Sequence, residues 1–114
     1  MSHLSILPTV LRETDLLDAS LRDLGLTPVV GGVLRGFADD RQPVDLAVTL
    51  ADGQCLGWKR QADGRLALVA DLQRLGRSRS LKPLIAQITR RYAARLALRE
   101  ASLNLAGAQV ELSA

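Results

Sequence analysis

Apolar and polar positions alternate most cleanly at Val44, Leu46, Val48 and Leu50, which interleave with Asp45, Ala47 and Thr49. A period of two places the two sets on opposite faces of a strand. Asp52-Gly53 then predicts a turn into an extended Cys55–Gln61, and Asp63-Gly64 predicts a second turn into Arg65–Ala70. Two Asp-Gly pairs between extended segments predict an antiparallel meander. Upstream, Leu4–Leu11 reads as a strand in which Pro8 must sit at an edge or a bulge. Val29-Val30 and Val33-Leu34 flank Gly31-Gly32, which predicts a tight hairpin or a bulge.

Two segments switch to the helical period. Leu16, Leu17, Leu21 and Leu24 share one face, with Asp15, Asp18, Arg22 and Asp23 turned outward. Thr14 or Glu13 can open this helix, acidic residues suit its positive start, and Gly25 is a natural stop. The second helix is predicted from about Leu81 to Ser102. Its apolar stripe is Leu81, Leu84, Ile85, Ile88, Tyr92 and Leu96, Ser80 is its candidate N-cap, and Pro83 is tolerable in the first turn. After Gly107, Gln109–Leu112 suggests a short final strand. The predicted order is β-α-β-β-β-α-β in one α+β domain over residues 1–114, a mostly antiparallel sheet with both helices on one face. Leu7, Leu11, Leu56, Trp58, Leu66 and Leu68 suggest that the opposite face is also apolar, and a homodimer through the sheet would cover it.

Composition narrows the chemistry. Phe37, Trp58 and Tyr92 are the only aromatic residues, so the core must be aliphatic and there are few rings on which bases could stack. The single Cys55 excludes an internal disulfide and a cysteine-based zinc site. No apolar stretch approaches the roughly 20 residues that span a bilayer, and no basic-then-apolar leader opens the chain. The expectation is a cytoplasmic protein without a membrane role, a metal or another cofactor. His3, the only histidine, lies at the extreme terminus, where it is poorly placed for a nucleophile–base pair. Asp39-Asp40 reads first as a solvated turn, Asp71 and Gln73 are considered only as polar site residues, and Gly31, Gly32 and Gly36 lack phosphate-loop spacing.

Charge changes the picture more. Residues 1–57 hold four Arg against eight Asp/Glu, a net of −4, whereas residues 58–114 hold eleven Lys/Arg against four Asp/Glu, a net of +7. The excess is concentrated between Arg74 and Arg99. Arg77, Ser78, Arg79 and Ser80 directly precede a helix, where backbone N–H groups, hydroxyls and guanidinium forks together favour an anion. Arg90, Arg91 and Arg95, with Arg99, form a basic stripe suited to phosphates or to acidic groups on a protein. The competing reading is a capped helix with a solvated arginine face, and the acidic first helix could receive that face within the chain or across a dimer.

Several short segments, in order, resemble one family: Met1–Ser5, Leu21–Gly25, Leu34-Arg35-Gly36-Phe37, Val44-Asp45-Leu46, Leu56-Gly57-Trp58, Leu66–Leu72 and Arg91-Tyr92-Ala93. Together they are similar to the hypothetical chloroplast reading frame thirty-five family, a domain of unknown function in cyanobacteria and some algal plastids. The resemblance implies a cytoplasmic or stromal protein and supplies no activity. The chain departs from it after Asp71-Leu72, where Gln73-Arg74-Leu75-Gly76 replaces an expected Trp-Gly pair.

The first expectation is therefore a non-enzymatic accessory protein that docks an acidic protein surface or complex through Arg77–Ser80, Arg90, Arg91 and Arg95. A module binding anions or the nucleic-acid backbone through the same arginines ranks second. An enzyme with a site around Asp71, Arg79 and Tyr92 ranks last, because no activated nucleophile or acid–base pair stands out.

Overall fold

The computed structural model describes the backbone of residues 4–36, 40–71, 73 and 81–113, and side chains through Asn104. The class is α+β. Strand β1 (Leu4–Leu7) leads to helix α1 (Thr14–Asp23), then β2 (Val29–Val30), β3 (Val33–Arg35), β4 (Arg41–Pro43), β5 (Leu46–Thr49), β6 (Cys55–Arg60), β7 (Leu66–Asp71) and helix α2 (Leu81–Ser113). The main sheet is antiparallel in the order β1-β7-β6-β5-β2, and β3 pairs with β4 in a separate ribbon.

The predicted meander is β5-β6-β7, and its two turns share one construction. Ala51-Asp52-Gly53 and Ala62-Asp63-Gly64 are three-residue loops, closed by Leu50 N–H to Gln54 O (2.7 Å) and Gln61 N–H to Arg65 O (2.8 Å). Each Asp carboxylate accepts the backbone N–H two residues on, from Gln54 (3.0 Å) and from Arg65 (2.9 Å). Gly53 and Gly64 then take φ of 87° and 86°, left-handed values that a side chain would strain.

Gly31-Gly32 is neither the tight hairpin nor the bulge expected. Val29 pairs with Ala47, Val30 with Leu46, Val33 with Pro43 and Arg35 with Arg41, so one register runs through both sheets. Gly31 N–H to Asp45 O (2.8 Å) and Val44 N–H to Gly32 O (3.0 Å) keep it unbroken. Residues 29–35 and 41–49 therefore form one long hairpin, bent over at Gly31 (φ 76°) and Gly32 (φ 100°). Its far end, β3–β4, folds onto the main sheet. There Gly57 lets the ribbon approach: a Cβ at Gly57 would lie 2.7 Å from both Leu34 Cδ1 and Val44 Cγ1.

The two sheet faces are thus covered differently. Leu46, Val48, Leu56, Trp58, Leu66, Leu68 and Ala70 pack beneath Leu16, Leu17, Leu21, Leu81, Ile88 and Tyr92 of the helices. This corrects the expectation that Leu56, Trp58, Leu66 and Leu68 line an opposite, uncovered face; Leu7 and Leu11 also belong to the helix side. On the other face a small cluster of Leu34, Val44 and Val69, with Leu4 and Ala47, lies under the ribbon. Strand β1 ends at Leu7 rather than Leu11 because Pro8 has no N–H to donate.

Helix α1 has Glu13 at its N-cap with no side-chain cap bond, and it closes at Gly25 (φ 83°), with Gly25 N–H to Arg22 O and Leu26 N–H to Leu21 O, both 3.0 Å. Helix α2 begins at Leu81 as expected but runs 33 residues to Ser113, about 50 Å. The strand expected at Gln109–Leu112 is the last turn of this helix. One Gly in a run of good helix formers costs only about 1 kcal/mol, and no Pro follows Gly107 to stop the helix. Residues 100–104 are exposed, with Leu98 and Leu103 each 67% exposed, as the helix leaves the body. The radius of gyration, 16.7 Å, accordingly exceeds the roughly 13 Å of a compact chain this long.

Candidate functional site

The site follows from how α2 meets α1. Leu81, Ile88 and Tyr92 are buried at helical spacing, which fixes one face of α2 on the sheet and α1. Tyr92 carries its hydroxyl to the start of α1, where it accepts the N–H groups of Arg12 (3.1 Å) and Glu13 (3.0 Å). A side chain 79 residues away thus satisfies the N–H of the N-cap residue Glu13, and also that of Arg12 just before it.

With α2 held this way, its arginines meet the acids of α1. Arg95 grips Asp23 with two donors, Nε to Oδ2 at 2.5 Å and Nη2 to Oδ1 at 2.7 Å. Arg91 adds Nε to Oδ2 at 2.8 Å. Farther along, Arg99 pairs with Glu13 and lies 3.7 Å from Asp15. Hydrogen bonds from Arg95 and then Arg91 hold the Asp23 carboxyl well below the usual carboxylate range, and the bond to Asp23 raises Arg95. The acidic first half and the basic second half of the sequence therefore meet inside one chain.

This pairing stays wet. The side chains of Arg91, Arg95 and Arg99 are 51%, 37% and 38% exposed, so each keeps part of its surface in contact with solvent and has more N–H donors than these pairs use. Arg90 is exposed and has no ion pair among the described residues. Of the residues singled out from sequence, Arg91 and Arg95 are brought together on Asp23, and Arg90 adjoins them in the chain. Arg77, Ser78, Arg79 and Ser80 lie outside the described residues, as do His3 and Asp39.

A cleft of about 280 Å³ opens where β7 ends and α2 begins. Its polar lining is Arg35, Gln54, Cys55 and Asp71, with Leu4 and Leu81 among the apolar residues. Asp71 and Leu81, which flank the basic segment in the sequence, both line this cleft. Asp71 was singled out by sequence; Arg35, Gln54 and Cys55 were not, because only the folding back of the ribbon brings Arg35 near the β5–β6 turn. The exposed Cys55 Sγ lies 3.6 Å from Thr49 Oγ1 and 3.9 Å from Gly53 O. Asp40 ties the ribbon down, its Oδ2 accepting Leu4 N–H at 2.8 Å. Among the described residues no cluster of His, Cys, Asp or Glu could hold a metal ion, and no helix is long and apolar enough to cross a membrane.

Comparison with curated proteins and with solved structures returns no match. One protein family does match, over residues 20–113, which takes in α1 from Ser20, the bent hairpin, the meander and α2. The chain belongs to that family, described as Protein of unknown function (DUF1257).

Proposed function

We propose that this protein is a non-enzymatic accessory protein that docks an acidic surface of a larger assembly through the exposed arginines of α2 and the basic segment before it. The observation that carries this reading is the state of the α2 arginines. They are fixed in place by α1, yet 37–51% of each paired side chain remains exposed, and Arg90 beside them is unpaired among the described residues. Rigid guanidinium groups with spare donors suit bidentate recognition of carboxylates. Arg77, Ser78, Arg79 and Ser80 extend the same charge along the chain. Anion or nucleic-acid-backbone binding is the second reading, favoured by the same spare donors.

The likeness to the hypothetical chloroplast reading frame thirty-five family supports placing the protein in the cytoplasm or stroma of an oxygenic phototroph. A second copy of the chain remains part of the proposal as a partner. The test compares tagged wild type with Arg90→Glu in lysate of the source organism. Recovery of a defined partner by wild type and its loss with Arg90→Glu is expected. Equal recovery by both proteins would contradict the reading.

A further inference from the structure

We propose that the acids of α1 act as a built-in competitor for the partner of α2: they occupy the arginine face that an acidic surface would use, and so set how tightly it binds. This rests on the proposed basic docking surface and concerns its regulation.

Arg91, Arg95 and Arg99 are the arginines best fixed for recognition, and each is bound to a carboxylate of α1 or its N-cap. Asp23 alone receives three guanidinium hydrogen bonds, which is how an arginine cluster would receive a carboxylate from outside. Yet α1 itself cannot swing away, because Leu17 and Leu21 are fully buried beneath it. Only the side chains are free to exchange. A partner must therefore outcompete fixed carboxylates at a half-exposed pair, where water and salt already weaken the bond. Such a surface discriminates: isolated acidic residues gain little, and only a partner presenting several anionic groups together displaces the internal ones.

The structure also supplies a control. Asp18 is in the same helix and carries the same charge, but among the described residues it pairs with Arg22 of α1, at 2.6 Å, and not with α2. Asp23→Asn and Asp18→Asn thus change net charge equally, and only the first releases α2 arginines.

The probe is immobilised heparin, a linear polyanion, eluted with a salt gradient, using full-length proteins whose folding is checked by circular dichroism. Asp23→Asn is expected to elute at clearly higher salt than wild type, and Asp18→Asn close to wild type. The log–log dependence of affinity on salt should steepen by about 1 for each arginine released. Glu13→Gln, which releases Arg99, is a second variant should Asp23→Asn fold poorly, and it should shift in the same direction. Equal shifts for Asp18→Asn and Asp23→Asn would overturn the competitor, since net charge would account for both. If wild type binds, Arg90→Ala weakens it and Asp23→Asn changes nothing, the competitor fails while the docking surface stands. If no variant binds, the basic surface itself fails.

Discussion

The two faces of the main sheet show two ways of closing a core. On one face, α1 and α2 cover large side chains such as Trp58, Leu56 and Leu66, and charge is left to the rim where the two helices meet. On the other, a bent hairpin lays its β3–β4 end over small residues, so closely that Gly57 has no room for a side chain. Among the described residues, the helix face therefore holds most of the apolar burial and the ion pairs between the helices. The ribbon face contributes shape, and it positions Arg35 at the cleft beside the end of β7.

Substitutions separate the two. Trp58→Ala on the helix face should cost the most, about 3–5 kcal/mol in urea denaturation, because the site is 2% exposed and a cavity would remain. Gly57→Ala should cost about 1–3 kcal/mol through contact with Leu34 and Val44. Its cost should shrink in a Leu34→Ala background; if it does not, the ribbon does not press on Gly57. Tyr92→Phe should cost about 1–2 kcal/mol, since two N–H groups at the start of α1 lose their acceptor. Hydrogen exchange at Arg12 and Glu13 should quicken in that variant.

Asp23→Asn is expected to have the smallest effect on stability, and pH reveals it. The folded carboxyl is depressed below its ordinary 3.8, so its contribution is present above that value and is lost as pH falls below it towards the folded pKa. Wild type should thus exceed Asp23→Asn in stability at pH 6, and the gap should close progressively below about pH 4. A gap independent of pH would show that the carboxylate charge is not what holds Arg91 and Arg95.

The legible parts of the fold were those with local causes. The meander was readable because both turns carry Asp-Gly, and α1 because its leucines recur at helical spacing before Gly25. The bent hairpin was hidden: Arg41-Gln42-Pro43 has no alternation to mark β4, and Gly31-Gly32 looks like a turn although the register passes through it. Face assignment also failed locally. Residues 66–70 of β7 are buried throughout, so parity alone could not tell which face the helices cover. At Gly107 a single residue of poor helix propensity does not outweigh the helix formers around it. For the candidate site, charge segregation was visible in composition, and an acidic helix receiving the arginines was one of its readings. That Asp23 would gather Arg91 and Arg95 was not visible, because it depends on how α1 lies against α2.

The oppositely charged halves of the sequence are joined through Asp23 and the arginines of α2. A double-mutant cycle of Asp23→Asn with Arg95→Gln, measured by urea denaturation at low and high salt, tests this most directly. A favourable coupling at low salt that shrinks as salt rises is expected. Strict additivity of the two substitutions at low salt would contradict it.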